Sequence, residues 1–230
     1  MMRLGVLVSG SGSNLQSILD ACATGRIPAK VAAVICNVPG ARALARAQEA
    51  NVPAVALPHG THPRREDYDA RLVEELRRHD VGLVCLAGFM RIVTPVLLRA
   101  FPERVLNIHP SLLPAFPGMH AVRQALAKGV RISGCTVHLV DEGTDTGPIV
   151  VQAAVPVLDG DTEETLAARI LVQEHRAYPR AIGLIASGRI ALSGRKVSVR
   201  AAQADSKGFL ASPPLDDSPT APATADAGTH

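Results

Sequence analysis

The stretch RLGVLVSGSGSNLQSILDACA, residues 3 to 23, decides how the rest of the chain is interpreted. It opens with an apolar run that stops at a turn made only of serine and glycine, residues 9–12. From Ser13 to about Ala23, apolar side chains return at helical spacing, at positions 15, 18, 19 and 22. The stretch therefore predicts a strand, a tight turn and a helix, the repeating unit of an α/β fold.

The same unit recurs along the first half of the chain. Strand-like apolar runs occupy residues 31–37, 54–57 and 81–88, and helical patterns occupy residues 41–50 and 64–79. Because these strands are apolar on both faces, we expect a mostly parallel sheet with helices on both faces. The predicted fold class is α/β, with three layers in a Rossmann-like arrangement.

Two strands in the second half predict a change at one end of this sheet. Residues 132–140 and 148–157 both have strand-like patterns, and the loop between them is short. A short connection favours an antiparallel pair. The sheet is therefore predicted to be mixed at that end.

The pattern after these strands predicts a helix that begins near Asp161 and Thr162. Its apolar stripe contains one carboxylate, Glu174, which is unusual for a buried position. Pro179 is expected to break or kink this helix, and a shorter helix is expected to continue to about residue 188.

The end of the chain differs in composition from the rest. We predict one domain over residues 1–190 and a terminal strand over residues 191–200, where RIALSGRKVSV could form a hairpin. Residues 201–230 contain four aspartates and one lysine, a net charge of −3, and many alanines, prolines, serines and threonines. Such a segment has little apolar surface to bury, so we predict a disordered acidic tail.

Composition excludes several classes of protein. A net charge of +3 and an aromatic content of 3% do not indicate a nucleic acid partner. No apolar run approaches the roughly 20 residues that cross a bilayer, and the N-terminus lacks a secretory pattern, so we expect a cytoplasmic protein without a membrane partner. The four cysteines are scattered, and HGTH at residues 59–62 has no further ligands nearby in sequence, so we predict no metal site.

The turn SGSGSN, residues 9–14, has the composition of an anion site. Its glycines leave backbone N–H groups accessible, and the following helix adds its N-terminus. A dinucleotide fingerprint would need a third glycine at position 15, which is Leu15, and a P-loop would need a lysine, which is missing. A single phosphate monoester is the favoured ligand, and a tight turn with a capped helix is the alternative interpretation.

The segment VLNIHPSLLPAFPG, residues 105–118, carries the chemistry. Asn107 and His109 alternate with apolar residues, so in a strand both side chains point to the same face. An amide donor beside an imidazole can stabilise the tetrahedral intermediate of acyl transfer and move a proton. The alternative is a buried histidine with satisfied hydrogen bonds and an asparagine that closes a turn.

A carboxylate that orients His109 is expected in the turn DEGTDTGP, residues 141–148, where Asp141, Glu142 and Asp145 are the candidates. A solvated acidic turn is the alternative. The chain has no G-x-S-x-G motif, and its cysteines lie within apolar runs. Direct transfer between two bound substrates is therefore favoured over a covalent acyl-enzyme.

Several motifs together, SGSGSNLQSILDA, LAGFMRIV, LNIHPSLLPAFPG, a D-x-G-P turn and QEHRAYP, resemble the phosphoribosylglycinamide formyltransferases of purine synthesis, which belong to the folate-dependent formyltransferases. The resemblance covers about residues 1–190 and implies that this segment is the catalytic domain. It implies that the catalytic residues are Asn107, His109 and Asp145, that glycinamide ribonucleotide contacts Gly12, Ser13, Asn14 and Glu174, and that folate contacts Arg65, Met90, Arg91, Ile92, Val93 and Asn107. Arg64 is the alternative to Arg65 if the match is shifted by one residue, and Asp141 is the alternative to Asp145.

The implied reaction moves a formyl group from 10-formyltetrahydrofolate to the amine of glycinamide ribonucleotide, with no metal or nucleoside triphosphate. The expected partners are these two small molecules, and the expected assembly is a monomer or homodimer. The competing interpretations are a methionyl-tRNA formyltransferase, a formyltetrahydrofolate hydrolase or a non-catalytic binding protein. The first two would be expected to carry an additional domain that this chain lacks.

Overall fold

The computed structural model describes residues 1–200, and within them one seven-stranded sheet forms the centre of the fold. The strands are β1 (Met2–Val8), β2 (Ala29–Cys36), β3 (Ala54–Ala56), β4 (Leu83–Leu86), β5 (Val105–His109), β6 (Ile132–Leu139) and β7 (Ile149–Pro156). Their order across the sheet is β3-β2-β1-β4-β5-β6-β7. Strands β1 to β5 are parallel, and β6 runs antiparallel to both of its neighbours. The predicted mostly parallel sheet with a mixed end is confirmed.

Helices cover the sheet on both faces and complete the three layers. They are α1 (Ser13–Ala23), α2 (Arg42–Glu49), α3 (Arg65–Arg78), α4 (Pro95–Ala100), α5 (Ala121–Ala127) and α6 (Glu163–Ala186). Side chains of α1, α2, α5 and α6 enter the core on one face, and those of α3 and α4 enter the core on the other. The sequence pattern missed α4 and α5 because six or seven residues are too short to display a helical period.

Strand β1 illustrates why the sheet is buried on both sides. Leu4 and Val6 point into the core that α1 and α6 cover, whereas Leu7 points into the core beneath α3. All three side chains are fully buried. Burial on both faces explains why the strand is apolar at successive positions and shows no polar alternation.

Helix α6 is longer than the sequence indicated. It runs without interruption through Pro179, so the predicted break is wrong. A proline inside a helix removes one hydrogen bond and costs roughly 3 kcal/mol. Tyr178 and Ile182, on the two sides of Pro179, are both fully buried in the same core, and burial of each large apolar side chain contributes about 1.5–3 kcal/mol. Packing of both halves of the helix against one sheet therefore outweighs the cost of the proline.

A hairpin follows α6 and forms a separate two-stranded sheet from β8 (Ile190–Ser193) and β9 (Lys196–Val199). This agrees with the hairpin expected from RIALSGRKVSV. The predicted disordered tail, residues 201–230, lies outside the described residues. Among residues 1–200, none of the helices has both the length and the apolar character needed to cross a membrane.

Candidate active site

The loops that follow β1 and β4 meet at the carboxyl edge of the sheet. The backbone N–H of Ser9 donates to the carbonyl of Gly88 over 3.1 Å, and the N–H of Met90 donates to the Ser9 hydroxyl over 2.9 Å. Neighbouring parallel strands end at the same edge, which is where ligands bind in sheets of this kind. The two loops predicted to bind different substrates are thus joined directly.

His109, at the end of β5, is held from both sides of its ring. Its Nδ1 lies 3.3 Å from Oδ2 of Asp145, and its Nε2 lies 2.8 Å from the carbonyl oxygen of Phe116. A carboxylate and a carbonyl can only accept hydrogen bonds, so an imidazolium, with two N–H groups, satisfies both contacts. The arrangement suits a histidine that carries a proton next to the substrate.

The carboxylate of Asp145 is itself fixed in place. The backbone N–H of Gly118 donates to its Oδ2 over 2.8 Å, and its backbone has a φ of +54°. Burial acts to raise the pKa of Asp145, but contacts from His138, the Gly118 N–H and the charge of His109 outweigh this and lower the pKa below its usual value. The His138 Nε2 is 3.6 Å from Oδ1, too long for a hydrogen bond, so we attribute more of the effect to Gly118 and His109.

His138 is the site residue that the sequence analysis missed. It lies on β6 directly opposite Asn107 of β5, and its Nε2 is 3.2 Å from the Asn107 amide nitrogen. Its Nδ1 is 2.9 Å from the carbonyl of Leu139, so Nδ1 carries the hydrogen and Nε2 accepts one from Asn107. The second amide hydrogen of Asn107 remains available to a ligand oxygen. A histidine within the apolar run TVHLV could have indicated a functional residue, but its contact with Asn107 depends on the register of β5 and β6.

A cavity of about 570 Å³ opens in front of this group. Its lining includes Asn107, His109 and Asp145 together with residues 90–93. Met90 and Ile92 are 70% and 63% exposed, which leaves apolar surface available for a flat organic ligand.

Helix α3 holds the loop of residues 90–93 in position. The carboxylate of Asp69 accepts the backbone N–H of Thr94 over 2.6 Å, and the guanidinium of Arg91 lies 4.7 Å above the ring of Tyr68. Asp69 and Tyr68 are both buried, so these contacts fix the end of the loop against a rigid element.

The loop after β1 has a conformation that requires glycine. Gly12 has a φ of +73°, and a Cβ at this position would lie 2.8 Å from the Cβ of Ala43 on α2. The guanidinium of Arg46, on the same helix, donates to the carbonyl of Ser11 over 2.9 Å. The loop is therefore pressed against α2, with the N-terminus of α1 beginning at Ser13.

Asn14 and Glu174 form a buried pair next to this loop. The Asn14 amide donates to Oε2 of Glu174 over 2.7 Å, and Glu174 is only 7% exposed. Burial raises the pKa of the Glu174 carboxyl, and the hydrogen bond from Asn14 partly opposes that shift. The Oδ1 atom of Asn14 is buried and has no hydrogen bond partner among the described residues. A buried polar pair with an unsatisfied atom is typical of a site that a ligand completes.

Comparison with known proteins gives the family. A family model described as formyl transferase matches residues 2–182. The phosphoribosylglycinamide formyltransferase of Mycobacterium tuberculosis (strain CDC 1551 / Oshkosh) is 50% identical over 203 residues, which cover 86% of this chain and 94% of that protein. The chain belongs to the phosphoribosylglycinamide formyltransferase branch of the formyl transferase family.

Other members of this family support the same assignment. The crystal structure of glycinamide ribonucleotide transformylase 1 from Symbiobacterium toebii is 56% identical, with a TM-score of 0.86 and coverage of 87% of this chain and 94% of that chain. The trifunctional purine biosynthetic protein adenosine-3 of Drosophila pseudoobscura pseudoobscura is 50% identical over 190 residues, 82% of this chain. The chain spans only 14% of the length of that protein.

The structure brings most of the residues implied by the formyltransferase resemblance to one edge of the sheet, but two arginines are separate. Arg64 forms an exposed ion pair with Asp67 at 2.6 Å, and Arg65 is exposed at the start of α3. Neither arginine lines the cavity. The choice between them therefore stays a prediction.

The two candidate aspartates of the 141–147 loop have different surroundings. The carboxylate of Asp141 accepts hydrogen bonds from the Gly143 N–H and the Thr146 hydroxyl, at 3.1 Å and 2.6 Å. It also faces Arg195 in the terminal hairpin, at 3.5 Å. Asp141 thus stabilises the loop, whereas Asp145 is the one that contacts His109.

Proposed function

We propose that this chain transfers the formyl group of 10-formyltetrahydrofolate to the amine of N1-(5-phosphoribosyl)glycinamide, in the cytoplasm and as a monomer or homodimer. The products are the formylglycinamide ribonucleotide and tetrahydrofolate. One observation carries the proposal: His109 is held between Asp145 and a backbone carbonyl, in a cavity that Asn107 and residues 90–93 also line.

Each substrate has a region whose chemistry suits it. The phosphate of the ribonucleotide is proposed to accept hydrogen bonds from the backbone of Gly12, Ser13 and Asn14 at the N-terminus of α1. Glu174 is proposed to bind the ribose hydroxyls or the glycinamide amine, since its carboxylate is an acceptor at the same end of the sheet.

The folate is proposed to lie along residues 90–93, where apolar side chains are exposed to the cavity. Its N10-formyl group would then be near Asn107. Arg65, or Arg64 as the alternative, is proposed to contact the folate from the start of α3.

The reaction follows from these positions. The lone pair of the amine attacks the formyl carbon, and the carbonyl oxygen becomes an oxyanion. Asn107 donates its remaining amide hydrogen to this oxyanion, and protonated His109 donates its Nε2–H to the oxyanion in place of the Phe116 carbonyl, while its Nδ1–H stays on Asp145. A proton leaves the attacking nitrogen and another reaches N10 of the folate, through His109 or water, as the bond from carbon to N10 breaks. Asp145 orients His109 and stabilises its positive charge.

The surroundings of the cysteines support direct transfer without an acyl-enzyme. Cys85 and Cys135 are fully buried, and burial raises the pKa of both thiols, that of Cys135 to about 12. A thiol that stays protonated is a poor nucleophile. No cysteine or serine lines the cavity among the described residues.

The test is an assay of tetrahydrofolate release from 10-formyltetrahydrofolate, with and without glycinamide ribonucleotide. We expect release only when the ribonucleotide is present, together with formylation of that substrate. Release of formate without the ribonucleotide would indicate a hydrolase, and an inactive wild-type chain would refute the proposal.

A further inference from the structure

A second cavity, of about 780 Å³, lies away from the candidate active site and shares no lining residue with it. We call it the arginine cleft. It is formed by one face of α6, the turn after α1 and the middle of β7. Its lining residues are Arg26, Ile27, Pro28, Val151, Ala153, Gln173, Arg176, Ala177, Pro179, Arg180, Gly183, Leu184, Ser187 and Arg189.

The charge of this cleft is entirely positive. Within residues 1–200, four arginines line it and no aspartate or glutamate does. The hydrogen bonds of Arg26 and Arg176 go to the neutral side chains of Thr24 and Gln173, at 3.4 Å and 3.2 Å. Among residues 1–200, Arg26, Arg176 and Arg180 form no salt bridge with a carboxylate. Like charges that line one cleft repel each other, and an anion bound among them would reduce the repulsion.

The floor of the cleft is apolar. Ile27, Ala177, Pro179 and Leu184 are all buried. Of the arginines around them, Arg26, Arg176 and Arg180 are exposed and Arg189 is half-buried. Arginines around an apolar floor suit a peptide that has both acidic and apolar side chains better than they suit an inorganic anion.

The described part of the chain ends at the rim of this cleft. The guanidinium of Arg189 donates from Nε and Nη2 to the carbonyl of Arg200, at 3.2 Å and 3.1 Å. The N–H of Arg200 donates to the carbonyl of Arg189 over 2.8 Å. The remaining thirty residues, 201–230, therefore start beside a residue that lines the cleft.

We propose that the acidic C-terminal segment, residues 201–230, binds in the arginine cleft. Its net charge of −3 opposes the charge of the cleft, and Phe209 and Leu210 are apolar side chains that the floor can accept. Arg176 lies ten positions, or about 15 Å, before the end of α6 at Ala186, and the sixteen steps along the chain from Arg200 to Asp216 can span up to about 50 Å. The aspartates up to Asp216 can therefore reach the cleft arginines that lie on and just after α6.

Because the segment is covalently joined to the domain that carries the cleft, weak contacts are sufficient for it to bind there. Exposed ion pairs are individually weak, but a segment joined to its site by a short linker has an effective concentration of about 1 mM. Its binding is also expected to weaken as salt screens the charges. A segment that lacks its own core can bind in this way without being ordered beforehand.

The experiment measures amide hydrogen exchange of residues 201–220 in the full chain. In low salt, we expect exchange in the wild type to be about fivefold slower than in the Arg176→Glu/Arg180→Glu variant, as a few exposed ion pairs would give. The matched control is Arg77→Glu/Lys128→Glu, which changes net charge equally at exposed positions outside the cleft and should behave as wild type. Adding Asp216→Lys/Asp217→Lys to the cleft variant should restore slow exchange.

Two results would overturn the proposal. Equal exchange in the wild type and in the cleft variant would show that the segment does not bind in the cleft. The Arg176→Gln/Arg180→Gln variant removes the two charges without adding glutamates that could disturb α6, and equal exchange in that variant and the wild type would refute the proposal in the same way. Slow exchange that depends on protein concentration, with a dimer mass that the cleft variant abolishes, would identify a second copy of the chain as the occupant.

Discussion

Substitution of Gly12 by alanine tests the conformation of the loop of residues 9–14, which is proposed to bind the phosphate. The added Cβ would lie 2.8 Å and 2.9 Å from two atoms of Ala43, which is fully buried on α2. A side chain at a positive φ costs about 1–2 kcal/mol, and overpacking a buried contact costs about 1–3 kcal/mol. We therefore expect the free energy of unfolding to fall by about 2–5 kcal/mol. Any relief of the contact must move the loop away from α2, and with it the N–H groups proposed to bind phosphate.

The assay is steady-state kinetics in which each substrate is varied while the other is saturating. We expect the KM for glycinamide ribonucleotide to rise at least about tenfold, equivalent to about 1.4 kcal/mol of binding, with little change in the folate KM. Gly10→Ala is the matched control, because a Cβ there meets no atom within 4 Å. Equal increases in both KM values, or an equally large effect of Gly10→Ala, would refute the reasoning.

Four further substitutions test the rest of the site and the packing of α6 beneath the sheet. Asp145→Asn removes the charge that faces His109, so kcat at saturating substrates should fall about 100-fold or more, whereas Asp141→Asn should change it little; equal losses would contradict the assigned roles. Glu174→Gln should raise the ribonucleotide KM about 10–100-fold. Burial raises the pKa of Glu174 in the folded protein, so the stability that this carboxyl contributes is complete below its unfolded pKa and is lost as the pH rises through its folded pKa. The Glu174→Gln variant should therefore have a higher Tm than wild type at pH 8 and the same Tm at pH 4. A lower Tm of the variant at pH 8 would contradict this. Tyr178→Phe removes a buried hydroxyl whose one hydrogen is shared between the carbonyls of Leu86, at the end of β4, and Leu106, near the start of β5. Thermal unfolding should therefore show a loss of about 1–2 kcal/mol, and an unchanged Tm would argue against that role.

The sequence was sufficient for the parts of the molecule that depend on local pattern. The strand, turn and helix of residues 3–23 follow from apolar spacing and from glycines at a tight turn, and α1 begins at Ser13 as expected. Asn107 and His109 share a face because side chains in a strand alternate. Pro179 shows the limit of local rules, since its helix is maintained by packing that no short window contains.

Only the tertiary structure decided which residues meet across long separations. His138 reaches Asn107 because β6 runs antiparallel to β5 in one particular register, and a shift of one residue would turn it to the opposite face. The choice between Asp141 and Asp145 depends on the path of a loop that the Gly118 N–H and Arg195 hold from two sides. The arginine cleft likewise joins residues of the turn after α1, of β7 and of α6 that share no sequence pattern. The periodicity of apolar residues determines which face of a helix or strand is buried, whereas strand register and loop path depend on how all the elements pack together. In this chain, register and loop path determined which residues meet in the site.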